Sequence, residues 1–148
     1  MVGIVVVSHS EKLAHEVIVL CNEMKKYDFP VVNGSGTEGG NLGSDPIRIK
    51  DAIEKAYTKE GVLIFCDIGS SILNSEMAME FLDEGYDRAK IKIADAPIVE
   101  GTLMAMAIND DKATLENILD ELQELKNFNK VWFFNNIVLF CSYLVFTR

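Results

Sequence analysis

Val2-Gly-Ile-Val-Val-Val-Ser-His-Ser-Glu11 is the stretch on which the fold turns. A short unbroken run of Val and Ile is the mark of a strand buried on both faces, as in a parallel sheet. It stops abruptly at three polar residues. Ser8 and Glu11 have capping-box spacing, which predicts a helix starting at this point. Its inward stripe would be Leu13, Val17, Leu20 or Cys21, and Met24.

The same strand-to-helix rhythm recurs downstream. Residues 30–33 form a short strand candidate. Residues 34–43 hold five Gly in ten positions, a density that no regular element survives, so this is a loop. Asp45-Pro46 is an N-cap followed by Pro at the first helical position, and Ile49, Ala52, Ile53, Ala56 and Tyr57 give that helix an apolar face. Residues 62–66 are a second buried strand ending at Asp67-Ile68-Gly69-Ser70-Ser71. The helix after it would turn Ile72, Leu73, Met77, Phe81 and Leu82 inward and stop at Gly85. Residues 91–94 are a further strand, 102–109 a short helix, and 113–125 a longer one with Leu115, Ile118, Leu119, Leu122 and Leu125 at helical spacing. Strands alternating with helices predict an α/β fold: a doubly wound, mostly parallel four-stranded sheet with helices on both faces.

Composition sets the outer bounds. The 148 residues suit one domain, here 1–126, with 49% apolar and 25% charged residues, the balance of a globular chain. A net charge of −9 argues against nucleic acid, whose phosphates would repel it. Cys21, Cys66 and Cys141 are odd in number and far apart, which excludes a disulfide framework and points to reduced, mostly buried thiols. The N-terminus has no basic region ahead of its apolar run, unlike a signal peptide. The apolar tail, 127–148, includes a run from Val131 to Phe146 that is shorter than the ~20 residues a membrane span needs. These readings place the protein in the cytoplasm, with no membrane partner. The tail itself is read as a buried terminal strand or a helix docked on a partner subunit.

In an open parallel sheet, sites form beyond the carboxyl ends of the strands, where strand order reverses. Three polar or Gly-rich segments end strands on that edge: Ser8-His9-Ser10, residues 34–43 and residues 67–71. His9 stands between a strand and the first turn of a helix, where free N–H groups favour an anion. A neutral imidazole there is a nucleophile able to take a phosphoryl group, provided one ring nitrogen is bare and the other keeps its proton. Asp67 is the carboxylate expected to hold that proton. Gly69, Ser70 and Ser71 offer N–H and hydroxyl donors for phosphate oxygens, and Thr37 with its flanking glycines, Gly36 among them, offers more. His15 reads as a surface residue, Cys66 as a buried strand residue. No Gly-Lys-Ser/Thr and no Gly-x-Gly-x-x-Gly after the first strand mark a nucleotide site.

Taken together, Ile4-Val-Val-Val-Ser-His-Ser10, Gly36-Thr37 with Leu42-Gly43-Ser44-Asp45, Cys66-Asp67-Ile68-Gly69-Ser70 and Ala96-Pro97-Ile98-Val99-Glu100-Gly101-Thr102 resemble the mannose-type enzyme IIA family of the sugar phosphotransferase system, in the branch that serves bacterial dihydroxyacetone kinase. The resemblance covers residues 1 to about 125. It implies a homodimer in which His9 accepts phosphate from the histidine-containing phosphocarrier protein and passes it to ADP on the nucleotide-binding subunit of the kinase. By the same resemblance His9 and Asp67 are catalytic, with Gly36, Thr37, Gly69 and Ser70 in the loops around the phosphate; Ser8, Ser10 and Ser71, beside them in the sequence, are read as further phosphate-binding residues. The chain would carry no cofactor and no metal of its own; Mg²⁺ would arrive with ADP on the partner. Sugar-transport members resemble it less, because their third-strand loop has a Trp-Gly-Gly-Ser-Pro type sequence and the only Trp here is Trp132. From other classes, a tetrapyrrole-type metal chelatase would need a second metal-handling histidine from another element, and a flavodoxin-like binding module would carry flavin.

Overall fold

A computed structural model describes residues 1–127. The elements run β1 (Gly3–Val7), α1 (Glu11–Asn22), β2 (Val31–Asn33), α2 (Pro46–Ala56), β3 (Val62–Cys66), α3 (Ser70–Glu80), β4 (Ile91–Ile93), α4 (Ile98–Ile108) and α5 (Leu115–Gln123). Single 3-10 turns precede β4 at Arg88–Lys90 and follow α5 at Glu124–Asn127. The four strands form one wholly parallel sheet in the order β2-β1-β3-β4. The chain therefore leaves β1 on one side to make β2 and returns on the other to make β3. The reversal lies between β1 and β3.

Strand pleating divides the core into two halves. Ile4 and Val6 of β1 pack with Val17, Ala105, Met106, Ile118 and Leu122 beneath α1, α4 and α5. Val5 and Val7 point the other way, into Ile49, Ile53, Ala78 and Leu82 beneath α2 and α3. Every residue of β1 and β3 is buried, as a strand covered on both faces requires. The register pairs Val7 with Cys66, and the Asp67 amide donates to the Val7 carbonyl at 3.1 Å. The residues that follow β1 and β3 are thus set side by side.

Several expectations are corrected. Ser8 does not cap α1; Ser10 does, accepting from the Leu13 amide, while the Ser8 hydroxyl is drawn to the carboxylate of Asp67. The helix begins at Glu11, which puts Ser10 in the cap position, and the Ser8 oxygen accepts instead from the Ser10 amide at 3.1 Å. The buried face of α1 is Ala14, Val17 and Cys21, with Leu13 and Leu20 exposed. On α3 the reversal is larger: Ser71, Ser75 and Ala78 face inward, and Ile72, Leu73, Met77 and Phe81 are exposed. Leu82 is buried as expected. The serines win because each bonds inside: Ser71 to Asp67, and Ser75 to the Ser71 carbonyl at 2.7 Å. The helix expected at 102–109 begins four residues earlier, with Pro97 as N-cap. The apolar tail lies outside the described residues, and none of the helices among those residues is long and apolar enough to cross a membrane.

Candidate functional site

His9 follows β1 and Asp67 follows β3, so the reversal of strand order brings them together across 58 positions of sequence. The His9 Nδ1 lies 3.0 Å from Asp67 Oδ1 and 3.1 Å from Oδ2. A carboxylate only accepts, so Nδ1 carries the proton and donates it. In the neutral ring that leaves the lone pair on Nε2. The Ser70 hydroxyl sits 2.8 Å from Nε2 and donates to it in this tautomer.

The carboxylate is itself closely held. Oδ2 accepts from the His9 amide at 2.8 Å and from the Ser8 hydroxyl at 2.9 Å. Oδ1 accepts from the Ile68 amide at 2.7 Å and from the Ser71 hydroxyl at 2.5 Å. Partial burial by itself pushes the carboxyl pKa up. The donors from Ser71, from the His9 and Ile68 amides and from the His9 ring outweigh it, and Asp67 is held well below the usual carboxylate range. The acid is thus a fixed negative charge at any pH near neutral.

The mouth of the site is the start of α3. Its N-cap, Gly69, has φ 55° and ψ −116°, a conformation that a side chain strongly disfavours, and has no side-chain hydrogen bond capping the helix. This turn delivers Ser70 to the imidazole and aims the positive end of the helix at it. Ile68, Gly69 and Ser70 are all exposed. Beside Asp67, the ends of β3 and β4 leave an open cleft of about 310 Å³. The His9 side chain is 35% exposed.

The glycine-rich loop closes the opposite wall. The Gly43 amide donates to the His9 carbonyl at 2.7 Å, and the Ser35 hydroxyl accepts from the Ser8 amide at 2.8 Å. Sequence reasoning placed both residues in the loop at the site edge but gave neither this anchoring contact, which no spacing signals. Gly36 makes an isolated parallel bridge with Ser44, and the Thr37 hydroxyl donates to the Asn41 carbonyl at 3.1 Å. Among the expected phosphate-binding residues, Ser70 touches the imidazole directly. Ser8 and Ser71 act through Asp67, Ser10 is spent on the cap, and Gly36 and Thr37 shape the loop. His15 is exposed on α1, and Cys66 is buried, its thiol pushed up to about 11 by burial and by the neighbouring Asp67 charge, against a smaller opposing effect of the Ser75 hydroxyl. Among the described residues, no group of three His, Cys, Asp or Glu side chains is arranged to hold a metal ion.

The arrangement pairs Nδ1 of the imidazole with a carboxylate and Nε2 with a hydroxyl at a helix N-terminus, so that the neutral ring has its one lone pair on Nε2. The sequence model of EIIA-man, the PTS system fructose IIA component, matches residues 3–121. The chain is 38% identical over 122 residues to a Listeria innocua protein, the phosphoryl donor subunit DhaM of PEP-dependent dihydroxyacetone kinase 2, covering 82% of this chain and 97% of that one. It is 31% identical to the phosphotransferase subunit DhaM of the PTS-dependent dihydroxyacetone kinase of Lactococcus lactis, over 83% of this chain and 94% of that one. The DhaM of Klebsiella michiganensis is 33% identical, but there the match spans only 26% of the relative. The crystal structure of EF1359, a protein of unknown function, superposes with a TM-score of 0.72 at 32% identity, covering 83% of this chain and 93% of that one. A histidine after β1, its carboxylate after β3, and a match running through nearly the whole described fold identify the chain as a member of the mannose-type enzyme IIA family.

Proposed function

We propose that the chain is the phosphohistidine carrier of a dihydroxyacetone kinase, taking a phosphoryl group from the histidine-containing phosphocarrier protein at His9 Nε2 and passing it to ADP on the nucleotide-binding subunit. The observation that supports this reading is the hydrogen bond from Nδ1 to Asp67, which holds a proton on one nitrogen and in the neutral ring leaves the lone pair on the other. The names borne by the relatives in Listeria and Lactococcus supply the kinase.

The transfer is in-line. The Nε2 lone pair forms a bond to phosphorus as the bond from phosphorus to the donor's histidine breaks. The proton on Nδ1 stays where it is, so the ring becomes a cation paired with Asp67. The Ser70 hydroxyl gives up Nε2 and turns to a phosphoryl oxygen, joined by the free amides at the start of α3. Passing the group on reverses these steps, with the terminal ADP oxygen as the new nucleophile. Mg²⁺ belongs to that nucleotide and travels with the partner. Such a carrier works in the cytoplasm, where its donors are. The family resemblance implies a homodimer, whose formation would remove some of the exposed apolar surface on α3 from water.

The test is to incubate the protein with phosphoenolpyruvate, enzyme I and the phosphocarrier. One acid-labile phosphate should appear by mass spectrometry, none on His9→Ala, and the label should move to ADP when the nucleotide-binding subunit is added. Full labelling of His9→Ala would overturn the assignment. Discharge to a sugar-transport domain in place of ADP would favour the transport alternative.

A further inference from the structure

The first turn of α2 contains no acidic residue, and its third position is a cation, Arg48. A cation at the positive end of a helix works against the macrodipole, so Arg48 does nothing for its own helix. Its guanidinium reaches away from it. Nη1 donates to the Thr37 carbonyl at 3.0 Å, and Nη2 donates to Glu11 Oε1 at 3.1 Å. One side chain therefore ties the glycine-rich loop to the first turn of α1.

Gly36, at φ +87°, lies directly against this pair. A Cβ there would come within 2.9 Å of Glu11 Oε2 and 3.4 Å of Arg48 Nη1. A side chain there would have to adopt a strained positive φ and push the Glu11 carboxylate aside. The Asn33 amide group reinforces the junction by donating to the Glu11 carbonyl at 2.9 Å. The Thr37 carbonyl also accepts from the Gly40 amide at 2.9 Å, so the tip of the loop is gathered on one oxygen.

Two features argue for a role beyond holding the fold. The pair is partly exposed, 37% at Arg48 and 52% at Glu11, and exposed ion pairs contribute little to stability. Glu11 sits two residues from His9, in the first turn of α1. An unpaired carboxylate that near the imidazole would repel an incoming phosphoryl group. The planar fork of Arg serves two acceptors on different elements at once, which a Lys ammonium does poorly.

We propose that Arg48 is a positioning residue for phosphoryl transfer: it neutralises Glu11 and fixes the glycine-rich loop against the His9 turn. The proposal rests on the phosphohistidine reading and adds to it. Arg48 touches neither the imidazole nor, by this reading, the phosphorus.

The experiment compares wild type, Arg48→Lys, Arg48→Gln and the Arg48→Gln/Glu11→Gln double variant, each confirmed folded by thermal melting. Phosphoryl transfer from the phosphocarrier is followed over a range of carrier concentrations. Arg48→Gln should lose about tenfold in rate at saturating carrier, with KM little changed, because the loss is one of placement and charge and not of docking. Arg48→Lys should fall between. Removing the stranded carboxylate in the double variant should recover a severalfold part of the loss, which a purely structural role would not produce. Exchange of the Gly43 amide should quicken in both Gln variants. A labelled wild type with an indifferent Arg48→Gln overturns this proposal alone, as does a loss that Glu11→Gln deepens. A wild type that takes no phosphate overturns the phosphohistidine reading and this proposal with it.

Discussion

Asp67 accepts hydrogen bonds from two backbone amides, two hydroxyls and the imidazole, more than a carboxylate needs for solubility. The consequence for stability has a definite sign. Burial would raise its pKa, but the donors lower it, so the folded carboxyl resists protonation at pH values where the unfolded one, with an ordinary value of about 3.9, takes a proton. The unfolded chain then binds more protons, and stability falls as the pH falls below about 4. Above that window the contribution is fully present. Asp67→Asn removes the titrating group. Its urea midpoint should be lower than that of wild type at neutral pH and should drop less between about pH 5 and pH 3. An acid limb as steep as the wild type's would mean that Asp67 is not the group being titrated. The same variant should transfer phosphate roughly 10- to 100-fold more slowly, because an amide can no longer fix the tautomer with a charge. Both residues of this pair were legible in the sequence, each as a polar residue ending an apolar run. Their partners Ser8 and Ser71 were legible only as nearby polar groups. Which oxygen each one bonds depends on distances that no spacing encodes.

The helices show where hydrophobic periodicity misleads. On α2 the apolar positions Ile49, Ala52, Ile53 and Ala56 are the buried ones, as the pattern requires. On α3 the inward side carries two serines, and apolar residues lie outside. Periodicity counts burial of apolar area alone, at about 25 cal/mol per Å². It has no term for a buried carboxylate that costs several kcal/mol if left short of donors. Ser71 must face Asp67, and the whole helix rotates with it. The two readings of α3 separate experimentally. Leu73→Gln, at a position 63% exposed, should leave the unfolding free energy within about 0.5 kcal/mol of wild type, whereas Leu82→Ala, at 3%, should cost roughly 2–5 kcal/mol. Equal losses measured by chemical denaturation would return α3 to the orientation that its apolar spacing suggests. The two central strands, by contrast, were plain. β1 and β3 are short apolar runs closed by polar residues, and nothing local competes with them.

Strand order was not legible, and the site depends on it. Four alternating units say that the sheet is parallel, yet β2-β1-β3-β4 is one of several orders compatible with right-handed crossovers. Only an order with β1 beside β3 puts residues 9 and 67 in contact. That order also decides what surrounds the imidazole. Ile68 is 73% exposed and Leu42 is 79% exposed, one on the turn that follows Asp67 and the other next to Gly43, whose amide holds the His9 carbonyl. Apolar side chains this exposed, next to a nucleophile and on a chain of net charge −9, make sense as surface that another protein covers during transfer. A small phosphoryl donor needs no such surface. Ile68→Asp therefore divides docking from chemistry. With phosphoramidate as donor, His9 should label at nearly the wild-type rate. With the phosphocarrier as donor, the second-order rate should fall about tenfold, since a rim contact is lost and a charge is added at the contact. The melting temperature should move little, because most of the side chain is exposed. Equal slowing with both donors would place Ile68 in the chemical step, and equal indifference would move the partner's footprint away from this side of the imidazole.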